Sequence, residues 1–427
     1  MKSTFKDFQH YVILNIVGQI SYSCYTMVDT FYVAAACQTD GLTALNLAFP
    51  IFCILNGLGL MIGIGGGSQY AISRHHQEKA NEIFTNCIYL VILFSVFFEI
   101  CSLFFSKQIV TFLGANHSVF DMTHTYLQIL LFFAPAFLWN HCIQCFIRND
   151  GAPEVTTRAM VIGSISNIIL DALFIFQFGW KIKGAIIATG LAPIISLVVM
   201  MPYFLSKRNQ FHFQFSKFTI QPIVSNGISF FMNECTAGII MFVFNFMILK
   251  LVGNIGVAAF SIITVISLVV NAIYNGLSQG MQPLLSLHYG HQHHQEVKDV
   301  FRYGLVTATI LSILIYSLIW IFTDQLVHIF NLQQDLSLQA LAQEGMRYYF
   351  IACFFIGWNG VCMTFLASTE RYRAAYLVSI CKSVLILVPI VFLLGTLFGL
   401  KGVWCSYFCS ETIVLILVTY ILKSKVI

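Results

Sequence analysis

The sequence predicts an all-α polytopic membrane protein, with twelve transmembrane helices in two six-helix lobes related by a pseudo-twofold along the membrane normal. Three observations carry that expectation. Apolar residues make up 58% of the 427 and charged residues only 9%, at a mean hydropathy of +0.81. A soluble domain carries roughly a quarter charged residues, so this composition excludes a soluble enzyme, a disordered chain and a nucleic-acid binder. The apolar residues also fall into runs of spanning length, and the second half of the chain echoes the first.

A spanning helix needs about 20 mostly apolar residues. Runs of that kind lie near 10–36, 42–72, 84–106, 122–147, 157–178 and 184–205, then near 223–251, 256–287, 302–323, 345–367, 372–395 and 402–422. Basic residues orient them. With the N-terminus inside, fifteen of the 22 Lys and Arg fall on the inner side, from Lys2 and Arg74 to Lys423 and Lys425. Lys107, Lys181, Lys183, Lys250 and Lys401 fall outside, and Arg347 and Lys382 lie at or within helix ends. Both termini are therefore expected in the cytoplasm, with the chain in the plasma (inner) membrane.

GIGGGSQYAIS from Gly63 is echoed by GLSQGMQPLLS from Gly276, and FGWKIKGAIIA from Phe178 by FGLKGVWCS from Phe398. Two lobes follow, 1–205 and 223–427, joined by the polar cytoplasmic linker 206–222. An even helix number gives both lobes the same orientation, and transporters built so bind substrate between repeats. The second and eighth runs crowd Pro50, Gly57, Gly59, Gly63 and Gly65–Gly67, and Gly276, Gly280 and Pro283. Small residues permit close helix approach and proline permits bending, so tight packing and a hinge both fit.

Carboxylates inside apolar runs are the unusual feature, since each costs roughly 2.5–3.5 kcal/mol at the bilayer centre. Asp29, Glu99, Asp171, Glu234 and Glu411 are such residues. Asn167 lies one turn before Asp171, on the same helical face. Asp29, Asp171 and Thr189 each lie some eight to ten residues from an outer turn, which at 1.5 Å per residue is one common depth. Two carboxylates, a carboxamide and a hydroxyl suit a hard monovalent cation or a shared proton, which makes Asp29, Asn167, Asp171 and Thr189 candidate ion-coupling residues. Interhelical hydrogen bonding alone is the plainer alternative.

Glu234 is a substrate or proton candidate without a visible partner, because the tenth run offers Gly357, Trp358 and Asn359 but no carboxylate. Tyr25, one turn before Asp29, and Tyr126, Trp358 and Asn359 are further candidates for a cavity wall. Glu99 and Glu411 read as locally satisfied or snorkelling groups. His288, His291, His293 and His294 sit in a wet loop without a metal-ligand pattern, and GIGGGS lacks the GK[ST] of a phosphate loop. The 13 cysteines, Cys142 and Cys145 of the CxxC included, read as small hydrophobes. No metal or cofactor is called for.

MVDTFYV at 27–33, NLAFPI at 46–51, GIGGGSQYAIS at 63–73, FIRNDGAPEV at 146–155, NIILDALFIF at 167–176, KGAIIAT at 183–189 and NGLSQGMQPLLSLHYG at 275–290 together resemble the multidrug and toxic compound extrusion (MATE) family, prokaryotic type. The resemblance covers essentially the whole chain. It implies cation-driven export, by H+ or Na+ antiport, of amphipathic and often cationic drugs, with the lipid bilayer as surroundings and no obligate protein partner. It also implies that Asp29, Asn167, Asp171 and Thr189 correspond to a first-lobe cation cluster. Glu234 corresponds to an acid that some branches pair with a second acid on the tenth helix, which is missing here. The rival class is a flippase for lipid-linked oligosaccharides. An anionic pyrophosphate headgroup calls for several intramembrane Arg or Lys, whereas the intramembrane charges here are acidic apart from Lys382. A membrane-embedded enzyme lacks any metal or Ser/Lys motif to support it.

Overall fold

A computed structural model describes residues 2–331 and 335–424; Lys425, one of the inner basic residues, lies outside them. The described residues are almost all helical, without strands, apart from short turns and the extended segment between Leu205 and Gln221. In order the helices are α1 (Lys2–Ile72), α2 (Gln77–Ile100), α3 (Ser106–Phe112), α4 (Phe120–Phe132), α5 (Ala134–Asn149), α6 (Pro153–Ala172) and α7 (Lys181–Leu205). Then come α8 (Gln221–Val252), α9 (Asn254–Gly290), α10 (His294–Phe330), α11 (Leu336–Tyr349), α12 (Cys353–Ser368), α13 (Tyr372–Ile380) and α14 (Leu387–Ser424). Wider π turns interrupt the α pattern at Cys101–Phe105, Leu173–Gln177 and Cys381–Ile386.

Among the described residues, nine helices are long and apolar enough to cross a membrane, or ten when the bent pair α4–α5 counts as one span. The twelve runs expected from sequence each fall on a helical arm, because two long helices are broken internally. α1 breaks at Gln38 (φ 53°, ψ −144°) and α14 at Gly399 (φ 60°, ψ −143°). Positive φ is unfavourable for residues with a Cβ, so the glycine at 399 is the easy solution and Gln38 the costly one. Positive-φ residues recur through the chain as Gln38 and Gly253, Gly151 and Glu370, and Gly179 and Gly399, each pair about 215–220 residues apart. The internal repeat is thus written in backbone turns as well as in residue types. Gly184 and Gly402 show why the repeat keeps glycine just after a turn. A Cβ at Gly184 would press on the Phe174 backbone, and one at Gly402 would overlap the Leu394 carbonyl.

The chain gathers into two compact units. The first comprises Ile13–Cys235 and Ser286–His294, and the second Met1–Val12, Thr236–Leu285 and Gln295–Ile427. In the first unit Leu55, Ile62, Leu127, Leu130 and Phe146 are fully buried, and in the second Phe244, Phe350 and Trp404 are. Glycine sets the closest helix contact of the first unit. A Cβ on Gly65 would overlap the Ile223 carbonyl, and one on Gly227 the Met61 carbonyl, so α1 and α8 meet backbone to backbone. Gly59 and Gly63 lie against His141 in the same way. All 13 cysteines are free.

The segment between α7 and α8 is tied down along α2. Its backbone N–H groups at Gln210, His212, Gln214 and Thr219 donate to Asp150 Oδ2, Asn81, Thr85 and Asn86 at 2.8–2.9 Å. The Phe211 ring is buried against Tyr70, Phe84, Phe146 and Phe204. An extended chain with no strand partner must find acceptors for its donors, and short polar side chains at helical spacing provide them. Asp150 anchors this strap: it also accepts from Tyr70 Oη at 2.7 Å and Tyr203 Oη at 2.6 Å, with Arg74 Nη2 3.7 Å away.

Replacing Asp150 by Ala strands two tyrosine hydroxyls and a backbone donor at once. Hydrogen bonds to a charged group contribute about 1.5–3 kcal/mol each. Asp150→Ala is therefore expected to lower the melting temperature of the purified full chain and to open Lys207, Arg208 and Lys217 to trypsin. Unchanged melting and digestion would show that the strap holds without this anchor.

Candidate functional site

Four helices of the first unit bring the principal polar residues together. Asp29 comes from α1, Asn167 and Asp171 from α6, Thr189 from α7 and Tyr126 from α4, and all five are buried. α6 and α7 pack closely because Gly163 leaves room for Ser196, whose hydroxyl donates to the Ala159 carbonyl at 2.9 Å. That contact sets Asn167 opposite Thr189. The Asn167 carboxamide is oriented with its nitrogen donating to Asp171 Oδ2 at 3.0 Å and its oxygen accepting from the Thr189 N–H at 3.2 Å. The opposite orientation would face oxygen to carboxylate and N–H to N–H, so the network decides it.

The Asp29 and Asp171 carboxyls lie within hydrogen-bonding reach of each other. Tyr126 is close enough to feel both. Two carboxyls can hydrogen-bond directly only when a proton lies between them. Oδ1 of Asp29 and Oδ1 of Asp171 are each buried without a hydrogen-bond partner among the described residues. Pro193 sits four residues beyond Thr189 within α7 and, lacking an N–H, removes the helical donor for the Thr189 carbonyl. Among the described residues the cluster therefore presents several oxygens and no ion-paired lysine or arginine. Such a set can hold a proton or a small monovalent cation. α6 ends one residue after Asp171, where the π turn Leu173–Gln177 begins, and π turns inside helices are frequent at functional sites.

The remaining candidates divide between the units. Tyr25 is buried in the first unit, edge-on to Tyr22 with ring centroids 5.0 Å apart. Glu234 also packs in the first unit, although it follows the linker in sequence. Its Cβ faces Gly57, and its carboxylate influences Tyr22 and Cys53. It is not brought to Asp29 by any contact described here. Trp358 and Asn359 lie in the second unit, where the Trp358 indole donates to Thr309 Oγ1 at 2.9 Å. The four-histidine tract lies near His75, with 6.2 Å between the His75 and His291 rings. No group of three or more His, Cys, Asp or Glu among the described residues is placed to hold a metal.

One expectation is corrected. The sequence expectation for Glu411 is a locally satisfied or snorkelling group, whereas the side chain is 1% exposed and pairs with Lys382 at 3.1 Å. Asn359 donates to its other oxygen at 2.7 Å.

A protein-family model described as MatE matches residues 15–173 and 230–393, three quarters of the chain. The chain belongs to the MatE family. The multidrug export protein MepA of Staphylococcus saprophyticus is 24% identical over 433 residues, covering 99% of this chain and 95% of the relative. MepA of Staphylococcus aureus is likewise 24% identical over 434 residues, covering 99% and 94%. Among solved structures, an outward-facing multidrug resistance MATE family transporter of the MOP superfamily superposes with a TM-score of 0.92 at 19% identity, covering 99% of this chain and 96% of that one. The MATE multidrug transporter DinF-BH gives a TM-score of 0.89 at 25% identity over 98% and 95%. Length, helix order and fold thus agree end to end with other MatE members, and the chain is a multi-pass integral membrane protein.

Within this family member, Asn167 is the group that fixes Asp171 in place. Asn167→Ala removes the amide donor from a buried carboxylate. Intramembrane hydrogen bonds contribute about 0.6–2 kcal/mol, so the variant is expected to melt a few degrees lower in detergent, while Asn167→Asp, which adds a third carboxyl, is expected to fall further. Equal melting of all three proteins would mean that the amide makes no such bond.

Proposed function

We propose that the chain is a secondary active multidrug exporter, which moves amphipathic and often cationic drugs out of the cell in exchange for H+ or Na+. The observation that carries this reading is the Asp29–Asp171 pair: two neighbouring buried carboxyls, Asp171 held by the Asn167 amide, each with an oxygen that has no hydrogen-bond partner among the described residues. Relatives named multidrug export proteins along nearly the full chain support the substrate class.

A cation arriving from outside neutralises the pair, and the pair in its charged form favours a positively charged drug. Binding of ion and drug then oppose each other, and that reciprocal coupling drives exchange. Neutralising Asp29 also removes the cost of setting it against apolar neighbours, so the arm of α1 around Asp29 is the element expected to shift. The halves 1–205 and 223–427 alternate access about the linker 206–222, in the plasma membrane with both termini cytoplasmic. The reading calls for no cofactor, no catalytic residue and no protein partner. A lipid-linked oligosaccharide flippase finds less support, because Lys382 is already paired with Glu411 and is not free to meet a pyrophosphate.

The test is efflux of a fluorescent lipophilic cation from proteoliposomes, with Na+ and pH gradients imposed separately. One gradient is expected to drive efflux in the wild type and so to name the ion. Asp171→Asn is expected to lower gradient-driven efflux on the order of tenfold or more, as loss of a coupling energy above ~1.4 kcal/mol would. Full ion-driven efflux by Asp171→Asn would end the assignment.

A further inference from the structure

The strap 206–222 presents a charged and aromatic face that no other part of the argument uses. Of its side chains only Phe211 is buried, while Lys207, Arg208, Phe213, Phe215, Lys217 and Phe218 are exposed. No acidic residue occurs between Asp171 and Glu234. The last stretch of the strap is clamped by one buried residue of α2. Asn86 donates through Nδ2 to Ser216 Oγ at 3.3 Å and accepts from the Thr219 N–H through Oδ1 at 2.8 Å. Lys217 and Phe218 lie between these two anchors, so their backbone is held while both side chains stay open. Among the described residues Lys217 enters no ion pair.

Beside this clamp runs a groove of about 440 Å³, lined by Tyr89, Ile92, Leu93 and Val96 of α2 and by Phe218 of the strap. That is a usual size for a small-ligand cleft, and every lining side chain is apolar or aromatic. From Tyr89 to Val96 the helix rises roughly 10 Å, against about 15 Å of hydrocarbon in one leaflet. The Phe213 and Phe218 rings each stand 6.2 Å from Tyr89, and Phe215 stands 5.1 Å from Phe213. Aromatic rings thus collect at the Tyr89 end, early in the apolar run that begins near 84, which sets this end by the membrane surface and Val96 deeper. Phe215 is 89% exposed, an openness that suits lipid better than water. An apolar groove with an uncompensated ammonium next to it in the chain matches a ligand that has a hydrocarbon tail and an anionic head.

We propose that this groove is a binding site for an anionic phospholipid, with its acyl chain along Tyr89–Val96 and its headgroup phosphate at Lys217. The lipid comes from the leaflet on the strap's side, the cytoplasmic one in the orientation proposed above. Charge complementarity selects it, since each basic residue near a bilayer surface favours anionic lipid. Glu78 and Glu82, the acids of α2 that precede the groove, make no ion pair with the strap among the described residues. A neutral phospholipid would fill the groove and leave the ammonium unmatched, and free phosphate would do the reverse. Once bound, the acyl chain joins Phe218 of the strap to the outer face of α2. None of this rests on the ion or drug roles proposed above.

The test uses the full-length chain in phosphatidylcholine nanodiscs, with a trace of either phosphatidylglycerol or phosphatidylcholine carrying a photoreactive diazirine in its acyl chain. Both faces of a nanodisc have the same lipids, so the result does not depend on orientation. After irradiation, peptide mass spectrometry locates the label. Label on 89–96 and Phe218 is expected to be about fivefold higher with the phosphatidylglycerol probe, the factor that one lysine at the surface supplies. In Lys217→Gln the two probes are expected to label alike, whereas Lys207→Gln/Arg208→Gln keeps the difference. Leu93→Trp, at an exposed position that fills the groove, is expected to remove label from 89–96 and spare other lipid-facing segments. Equal labelling by both probes in the wild type would leave only ordinary bilayer contact and overturn the proposal. A preference that survives Lys217→Gln, or that Lys207→Gln/Arg208→Gln abolishes as fully, would also overturn it, as would label at 89–96 unchanged by Leu93→Trp.

Discussion

The cost of placing charge where water is scarce governs the polar architecture of this chain. A carboxylate cannot remain alone in a bilayer or a dry helix junction, so each must find a proton, a cation or several donors. Three buried acids meet that demand in three ways. Asp150, at the end of α5, gathers two tyrosine hydroxyls, a backbone N–H and the nearby Arg74. Glu411 takes a lysine and an amide. Among the described residues Asp171 meets one amide and a second carboxyl, which leaves it the least satisfied of the three. The order of satisfaction separates an anchor, a compensated pair and an acid with few donors.

Backbone irregularity places these groups. An unbroken α-helix sends side chains out at a fixed pitch, and a π turn widens that pitch locally. One such turn begins two residues after Asp171, and another contains Lys382. Glycine acts in the complementary direction, removing the side chain wherever two backbones must touch, as at Gly65 and Gly227. At those positions α1 and α8 approach to backbone contact.

Much of this was legible in the sequence, and the limits have physical causes. Apolar run length located all twelve helical arms, since the hydrocarbon thickness allows few alternatives. A fixed rise per residue gave the common depth of Asp29, Asp171 and Thr189. It could not give their lateral meeting, which depends on how α1, α6 and α7 rotate against one another. Glu411 was missed for a related reason. Lys382 lies 17 residues before Gly399 and Glu411 12 after it, a difference in depth of about 7 Å at 1.5 Å per residue. Read as points, the two do not meet. A lysine stem, however, places its charge several ångströms from its own Cα, and allowing for that reach would have brought the pair within view. The Asn359 contact had no comparable signal, since a single amide in an apolar run is more often a packing hydrogen bond. The linker 206–222 read as polar and therefore as a plain connection. The alternation of donors at 210, 212 and 214 against Asp150, Asn81 and Thr85 becomes visible only once α2 is laid beside it.

The repeat sharpens the contrast between the two buried centres. The chain uses the same turns twice, at Gly151 and Glu370 and again at Gly179 and Gly399, so the two halves inherit similar backbones. Their electrostatics are nevertheless unlike. Among the described residues Asp29 and Asp171 form an acid pair without an ion-pair partner, whereas Glu411 pairs with Lys382 at 3.1 Å. An acid pair changes its charge by taking an ion from outside, and so can report an ion gradient. Duplication followed by this divergence leaves an acid pair in one half and a lysine-compensated acid in the other.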